Sequence, residues 1–265
     1  MARLETFLRD RSPLDQNQLR RIRELTSDWQ LLADLSFADL ILWVPLRKDF
    51  KSWPTGYVAV AHIRPTTAAT VFPQEVIGEE ISWGSRPQID QALSGAEIIR
   101  DAQPEKSGEL LIKEETIPVI LDEQVIAVIS RHRNAELMRQ PSRLELNYRE
   151  VAHNVFRMVA EGTFPYTEHS ELFDPAVRVG DGLIRLDING AITYASPNAK
   201  SAFNRMGLAG ELEGSNLGEV ARKVSLVKAD AHEEAIEVSL SGKSLRRVEI
   251  ENTGGTIDLM ALPLL

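Results

Sequence analysis

Apolar residues first recur at helical spacing near the start of the chain. Leu19, Ile22, Leu25, Trp29 and Leu32 place one apolar face on a helix running to Leu35. Ser12-Pro13-Leu14-Asp15 reads as its start, with a capping hydroxyl, a proline at the first position and a carboxylate on the positive helix end. The pattern then turns to strand. Asp39-Leu40-Ile41-Leu42-Trp43-Val44-Pro45-Leu46, the turn Ser52-Trp53-Pro54-Thr55-Gly56, and Tyr57 to Ile63 predict two adjacent strands. Scattered Thr, Pro and Gly from Pro65 to Pro104 predict a loop-rich middle with a short helix over Gln88 to Leu93. Thr116 to Leu121 and Val125 to Ser130, around the polar Asp122-Glu123-Gln124, predict a second hairpin.

Pro141-Ser142-Arg143-Leu144-Glu145 carries the capping-box pattern of a new helix, and Leu144, Tyr148, Val151, Val155 and Met158 follow at alternating four- and three-residue steps. The helix should stop near Glu161-Gly162, since Pro165 cannot continue it. Two uses of this stripe stay open: covering the sheet of the preceding strands, or forming a seam with a second copy.

After it, Leu183, Ile184 and Leu186 predict a strand, Asn189-Gly190 a two-residue hairpin turn, and Ile192 and Tyr194 the returning strand. Ser196 is the expected cap and Pro197 the first residue of a helix with Ala199, Ala202, Phe203 and Met206 on its apolar face, stopped by Gly207. Thr256 to Leu265 reads as a last strand. Leu186, Phe203, Met206, Val248, Ile250 and Leu259 are candidates for the interior of this part, as filled core in preference to ligand contacts.

The 265 residues suffice for two domains with separate cores, and 43% hydrophobic with 26% charged residues is ordinary for globular chains. The net charge of −9, without blocks of like charge, argues against nucleic acid or an anionic membrane as a principal partner while leaving room for a local basic patch. No apolar run approaches the roughly 18 residues of a membrane span, and Met1-Ala2-Arg3-Leu4-Glu5 lacks a secretory core, so a cytoplasmic location is expected. The chain has no cysteine, which removes disulfides, thiol nucleophiles and thiolate metal sites.

The five histidines, at 62, 132, 153, 169 and 232, are not paired at helical spacing, so no structural metal site is expected; His62 and His132 read as ordinary residues on or just past strands. Gly180-Asp181-Gly182 begins like a dinucleotide fingerprint, but Arg185 stands where its third glycine belongs. Ser241-Gly242-Lys243-Ser244 imitates the end of a phosphate loop, but Glu237 replaces the first glycine, and it reads as a hairpin turn. No nucleophile–base pair stands out, and no catalytic residue is expected in this chain.

The run Gly182 to Asn198, a hairpin leading into a capped helix, resembles the start of a PAS domain. Asp39 to Pro45, Ala61-His62-Ile63-Arg64-Pro65-Thr66-Thr67, Ser85-Arg86-Pro87 to Leu93-Ser94-Gly95, and Ile126 to Arg131 resemble the N-terminal GAF-like region of soluble sensor histidine kinases. In combined order the chain is similar to the GAF–PAS sensor region of an actinobacterial two-component kinase family. The resemblance implies an α+β fold of two tandem sensory domains, each an antiparallel sheet flanked by helices: a GAF-like domain over 1–140, a linker helix over 141–165 and a PAS domain over 172–265. It implies a cytoplasmic sensor that controls autophosphorylation and phosphotransfer to a response regulator, with an RNA-binding antiterminator as the kind the family often pairs with, in a homodimer that answers an unknown small molecule. Leu144, Tyr148, Val151, Val155 and Met158 would then form the signalling helix. Phosphoacceptor and ATP-binding modules do not occur in this sequence, so ATP belongs to a kinase region outside it and the chain itself needs no cofactor. The alternative is a free-standing GAF–PAS adaptor that binds a partner or small ligand with no kinase. In haem-binding PAS domains an axial histidine comes from the helix where His232 falls, but its charged and small neighbours favour an exposed side chain. Without a thiol, flavin–cysteinyl and thioether-bilin photochemistry are excluded.

Overall fold

The computed structural model describes residues 7–8, 11–100, 104–107, 110–135, 140–164, 178–225 and 246–264. The chain divides into two compact units, Met1–Thr167 and Glu168–Leu265.

The first unit opens with helix α1 (Gln16–Ser27), and its N-cap is Asp15, not the predicted Ser12. Asp15 Oδ1 accepts from the Gln18 backbone N–H at 2.8 Å and Gln18 Oε1 accepts from the Asp15 N–H at 3.0 Å, so two orphan donors are satisfied reciprocally. Ser12 Oγ is buried without a hydrogen-bond partner among the described residues. The expected single helix to Leu35 is also two. At its end Thr26 Oγ1 donates back to the carbonyls of Ile22 and Arg23, and Ser27 Oγ to that of Glu24, so side chains compete for the helix's own acceptors. Helix α2 (Trp29–Ser36) restarts after Asp28 and ends at Phe37, which is left-handed at φ 51°.

Strands β1 (Asp39–Leu46) and β2 (Gly56–Ile63) pair antiparallel, followed by the short β3 (Glu80–Ser82), helix α3 (Pro87–Gly95), and strands β4 (Ile99–Arg100) and β5 (Glu105–Ser107). Strands β6 (Leu110–Leu121) and β7 (Gln124–Asn134) form a hairpin longer than the alternation predicts. Its turn is Asp122-Glu123, both at positive φ (49° and 62°), the sense of turn that matches strand twist. The sheet runs β3-β2-β1-β7-β6-β4, with β5 on β6, and β1 is buried along its whole length. Helix α4 (Arg143–Ala160) packs against α2 and β6, while α3 packs against β6 and β7. Ile89, Ala92 and Leu93 of α3 share a core with Ile41, Trp43, Tyr57, Ala59 and Val128, which gives α3 one sheet face. Arg131 of β7 lies over Phe156 of α4, which gives α4 the other.

In the second unit, β8 (Ile184–Leu186) pairs with β9 (Ile192–Ala195), helix α5 (Pro197–Arg205) follows at once, and α6 (Leu217–Val224) precedes the hairpin of β10 (Arg246–Asn252) and β11 (Gly255–Ala261). The β8–β9 connection is not the predicted two-residue Asn189-Gly190 turn. Asp187 N–H donates to Ala191 O at 2.9 Å and Gly190 N–H to Asp187 O at 3.0 Å, so the loop is one residue longer, and only Gly190 is left-handed at φ 77°. Asp187 Oδ1 accepts from the N–H groups of Asn189 and Ala191, which stabilises the wider loop. Gly182 has φ 122°, and a Cβ there would lie 2.9 Å from the Ala199 backbone nitrogen, so the entry to β8 requires glycine. Phe203, Met206, Val248 and Ile250 are buried in one cluster, with Leu186 and Leu259 packed partly buried against it.

Candidate functional site

The face of the first unit's sheet beneath α3 carries an unusual density of buried polar side chains. Register places Asp39 opposite His132 and Ile41 opposite Ser130 across β1 and β7, Ile41 opposite His62 across β1 and β2, and Glu114 and Thr116 opposite His132 and Ser130 on β6. Directly opposed residues share a sheet face. Asp39, Ser130 and His132 are each at most 2% exposed, and the His62 side chain is 2% exposed.

Two side chains meet at one hydroxyl. Trp43 Nε1 lies 2.8 Å from Ser130 Oγ, and His132 Nε2 lies 2.9 Å from the same oxygen. An indole only donates, so Ser130 accepts from Trp43, and the same hydroxyl oxygen shares a second hydrogen bond with the His132 ring. Burial, then the Arg86 guanidinium and then His62 push the His132 imidazole down to about 3, which agrees with a neutral ring at neutral pH. A serine beside a histidine invites comparison with a nucleophile and its base. Here the hydroxyl is fully buried and already receives a bond, so the pair orders a core and offers no attacking oxygen.

The segment from Arg64 to Val76 lies over this face and is tied down by two carboxylates and an arginine. Asp39 accepts from the Val71 N–H at 2.8 Å and from the Thr70 hydroxyl. Asp34 accepts from the Thr66 N–H, and its carbonyl from Thr67 Oγ1 at 2.7 Å. Arg64 Nε donates to Phe72 O at 2.9 Å. The Phe72 ring thereby stands edge-on to both imidazoles, 5.7 Å from His62 and 4.9 Å from His132. His62 Nε2 is buried without a hydrogen bond, 3.8 Å from Asp39 Oδ1. Arg86 closes the margin by pairing with Glu114. Farther along, Tyr57 donates to Asp90 at 2.8 Å, which also accepts from the Gly84 N–H at 2.9 Å; burial and this carboxylate push the phenol well above its ordinary range.

The sequence-predicted stripe lies on α4, at the other sheet face. Tyr148, Val151, Val155 and Met158 are at most 4% exposed within this single chain, and Leu144 is half-buried. Phe37 stacks on Tyr148 at 6.2 Å, and Arg149 lies over the Phe37 ring. The capping box forms, with Ser142 Oγ accepting from the Glu145 N–H at 3.2 Å and Glu145 Oε2 from the Ser142 N–H at 3.1 Å. His232, His169 and the Ser241–Ser244 turn lie outside the described residues. The association of His62, Ser130 and His132 was not drawn from the sequence. The signal present was the two-residue spacing of Ser130 and His132 on one strand, which puts both side chains on the same face.

The family described as histidine kinase PdtaS, GAF domain, matches residues 4–152. Sensor histidine kinase PdtaS of Mycobacterium tuberculosis is 36% identical over 271 residues, covering 100% of this chain and 53% of that protein. The Mycolicibacterium smegmatis PdtaS is 35% identical over 269 residues, with the same coverage of 100% and 53%. A solved structure described as the sensor region of a sensor histidine kinase is similar with a TM-score of 0.84 at 35% identity, over 99% of this chain and 92% of its own. The chain thus spans about half the length of the curated relatives it matches.

Proposed function

Because the chain belongs to the histidine kinase PdtaS GAF-domain family, we propose that it is the sensory region of a cytoplasmic two-component kinase, with a GAF-like receiver of the signal followed by a PAS domain. The observation that carries this reading is the likeness of nearly the whole chain to a solved kinase sensor region. The PAS reading of the second unit is supported by its hairpin, the helix capped by Ser196, and the closing β10–β11 hairpin over a common apolar cluster. A cytoplasmic setting is supported by the absence, among the described residues, of any helix long and apolar enough to cross a membrane. In this reading ATP-dependent autophosphorylation lies outside these 265 residues. Phosphate passes to an aspartate of a response regulator, with an RNA-binding antiterminator as the expected kind, and the kinase works as a homodimer.

In this reading the signal runs across the first unit's sheet. Ser130 and His132 face the strapped inner side of β7 while Arg131 between them faces α4, so a displacement of this strand is felt on both sides of the sheet at once. A signal that moves Phe72 and its strap would act on β7 and through it on the stripe of α4. The test is a fusion of this chain to the catalytic half of the M. tuberculosis relative, with phosphate incorporation from labelled ATP as the readout. A fused sensor should set a rate different from that of the catalytic half alone, and Phe72→Ala should shift it. A rate indifferent to the presence of the chain would refute the reading.

A further inference from the structure

On the face of β7 turned toward α4, basic side chains outnumber the carboxylate oxygens available to them among the described residues. Glu115 is fully committed: Oε1 to Arg100 at 2.6 Å and Oε2 to Arg131 at 2.8 Å. Glu145 is committed too, with Oε1 taking Arg149 at 3.3 Å and Oε2 accepting from the Ser142 N–H at 3.1 Å. Two residues beyond Arg131 on the same face stands Arg133, directly opposite Lys113 of β6. Like charges placed opposite each other on a ladder repel. Arg133 is half-buried and forms no hydrogen bond or ion pair among the described residues. The Nε of Arg149, on α4, is buried and equally without a partner. Burial first, then Arg149, push the Arg133 guanidinium down from its ordinary value, with Glu115 acting the other way. A guanidinium keeps its proton at any pH the fold survives, so among the described residues this charge is left to solvent or to a bound anion.

We propose that Lys113, Arg133 and Arg149 form a binding site for a small phosphate-type dianion at the junction of β6, β7 and α4. The planar fork of a guanidinium matches a phosphoryl group with two parallel hydrogen bonds, and a doubly charged ligand answers the surplus left after Glu115 and Glu145 are used. Two of the three cations belong to the sheet and one to the helix. The occupant therefore bridges β6–β7 to α4, and its arrival tightens the helix onto the sheet. In a chain of net charge −9 this is a local basic cluster that its described neighbours leave in excess of carboxylate.

Calorimetric titration of the whole chain with inorganic phosphate, and separately with glycerol 3-phosphate, at fixed ionic strength in chloride, tests the site. Saturable one-to-one binding is expected, weakened at least tenfold by Arg133→Gln and by Lys113→Gln. In chloride alone Arg133→Gln should unfold at a temperature no lower than the parent protein, because it removes a charge that has no partner. Equal affinity for the two probes would assign the site to free phosphate, and tighter glycerol 3-phosphate to a phosphomonoester. The proposal fails if neither probe binds saturably, or if binding survives both substitutions unchanged.

Discussion

Trp43 and Ser130, 87 positions apart in sequence, are joined by an indole N–H hydrogen bond of 2.8 Å in the interior of the first unit's sheet. The bond crosses from β1 to β7, and the Ser130 hydroxyl links it to the His132 ring. Ser130→Ala leaves a buried indole donor and a buried imidazole nitrogen without their shared partner. Loss of about 1–3 kcal/mol is expected, the usual range for stranding a buried polar group. Chemical denaturation of Ser130→Ala, Trp43→Phe and the double variant checks it. The double variant should be more stable than the sum of the two losses allows, since Trp43→Phe removes the stranded donor.

The depressed His132 imidazole gives acid sensitivity a sign. Its folded value of about 3 lies below the ordinary 6.5, so between those values the unfolded chain takes up a proton that the folded chain refuses. Stability from this group is complete above about pH 6.5 and is lost progressively as pH falls toward 3. Asp28, pushed up to about 6 by burial, acts the other way, losing its contribution as pH rises from 3.8 through 6. Comparison of His132→Asn with the parent isolates the first effect. Urea midpoints from pH 7 to pH 4 should fall less steeply in the variant, and equal slopes would contradict the assignment.

Helix α4 hides its stripe inside the first unit, which decides what a charge there does. Val155 is 0% exposed against the sheet side, so Val155→Asp should lower stability by roughly 2–4 kcal/mol. Thermal unfolding measures the loss. Light scattering on the same sample tells whether the change acts through association instead; an oligomer that dissociates while the thermal midpoint stays fixed would contradict the packing described here.

Asn252 holds the second unit together at one point. Its Nδ2 donates to Met206 O at 2.8 Å, just past α5, and to Val224 O at 2.6 Å, in the last turn of α6, while its Oδ1 accepts from the Gly254 N–H at 2.7 Å. Asn252→Ala frees two helix-end carbonyls and the turn at once, with an expected cost of about 1–3 kcal/mol. Asn252→Asp keeps the acceptor for Gly254 but presents a carboxylate to two carbonyls, and should cost at least as much. An Asp variant as stable as the parent in denaturant unfolding would count against this role.

The elements that local chemistry governs were legible in the chain. The capping box of Ser142 and Glu145, the Ser196 cap before Pro197, and the apolar runs of β1, β2, β6 and β7 follow from contacts within a few residues, and the structure contains them. Where two local options were close in energy, the sequence could not choose between them. Asp15 displaced Ser12 as cap because Gln18 reciprocates its bond, and Asp187 widened the Asn189-Gly190 turn by accepting two backbone donors.

What the sequence alone determined is therefore the order of helices and strands, the kinds of chemistry a cysteine-free chain excludes, and the resemblance that carried the family. Tertiary structure decided which face each residue shares with distant strands. His62, Ser130 and His132 came together, and the stripe of α4 closed over its own sheet, only because register set β1 between β2 and β7. The same register left Lys113 opposite Arg133. Alternation along a strand is local, but which strand lies alongside is settled by the packing of the whole domain, and a shift of one residue would have turned every one of these side chains to the opposite face.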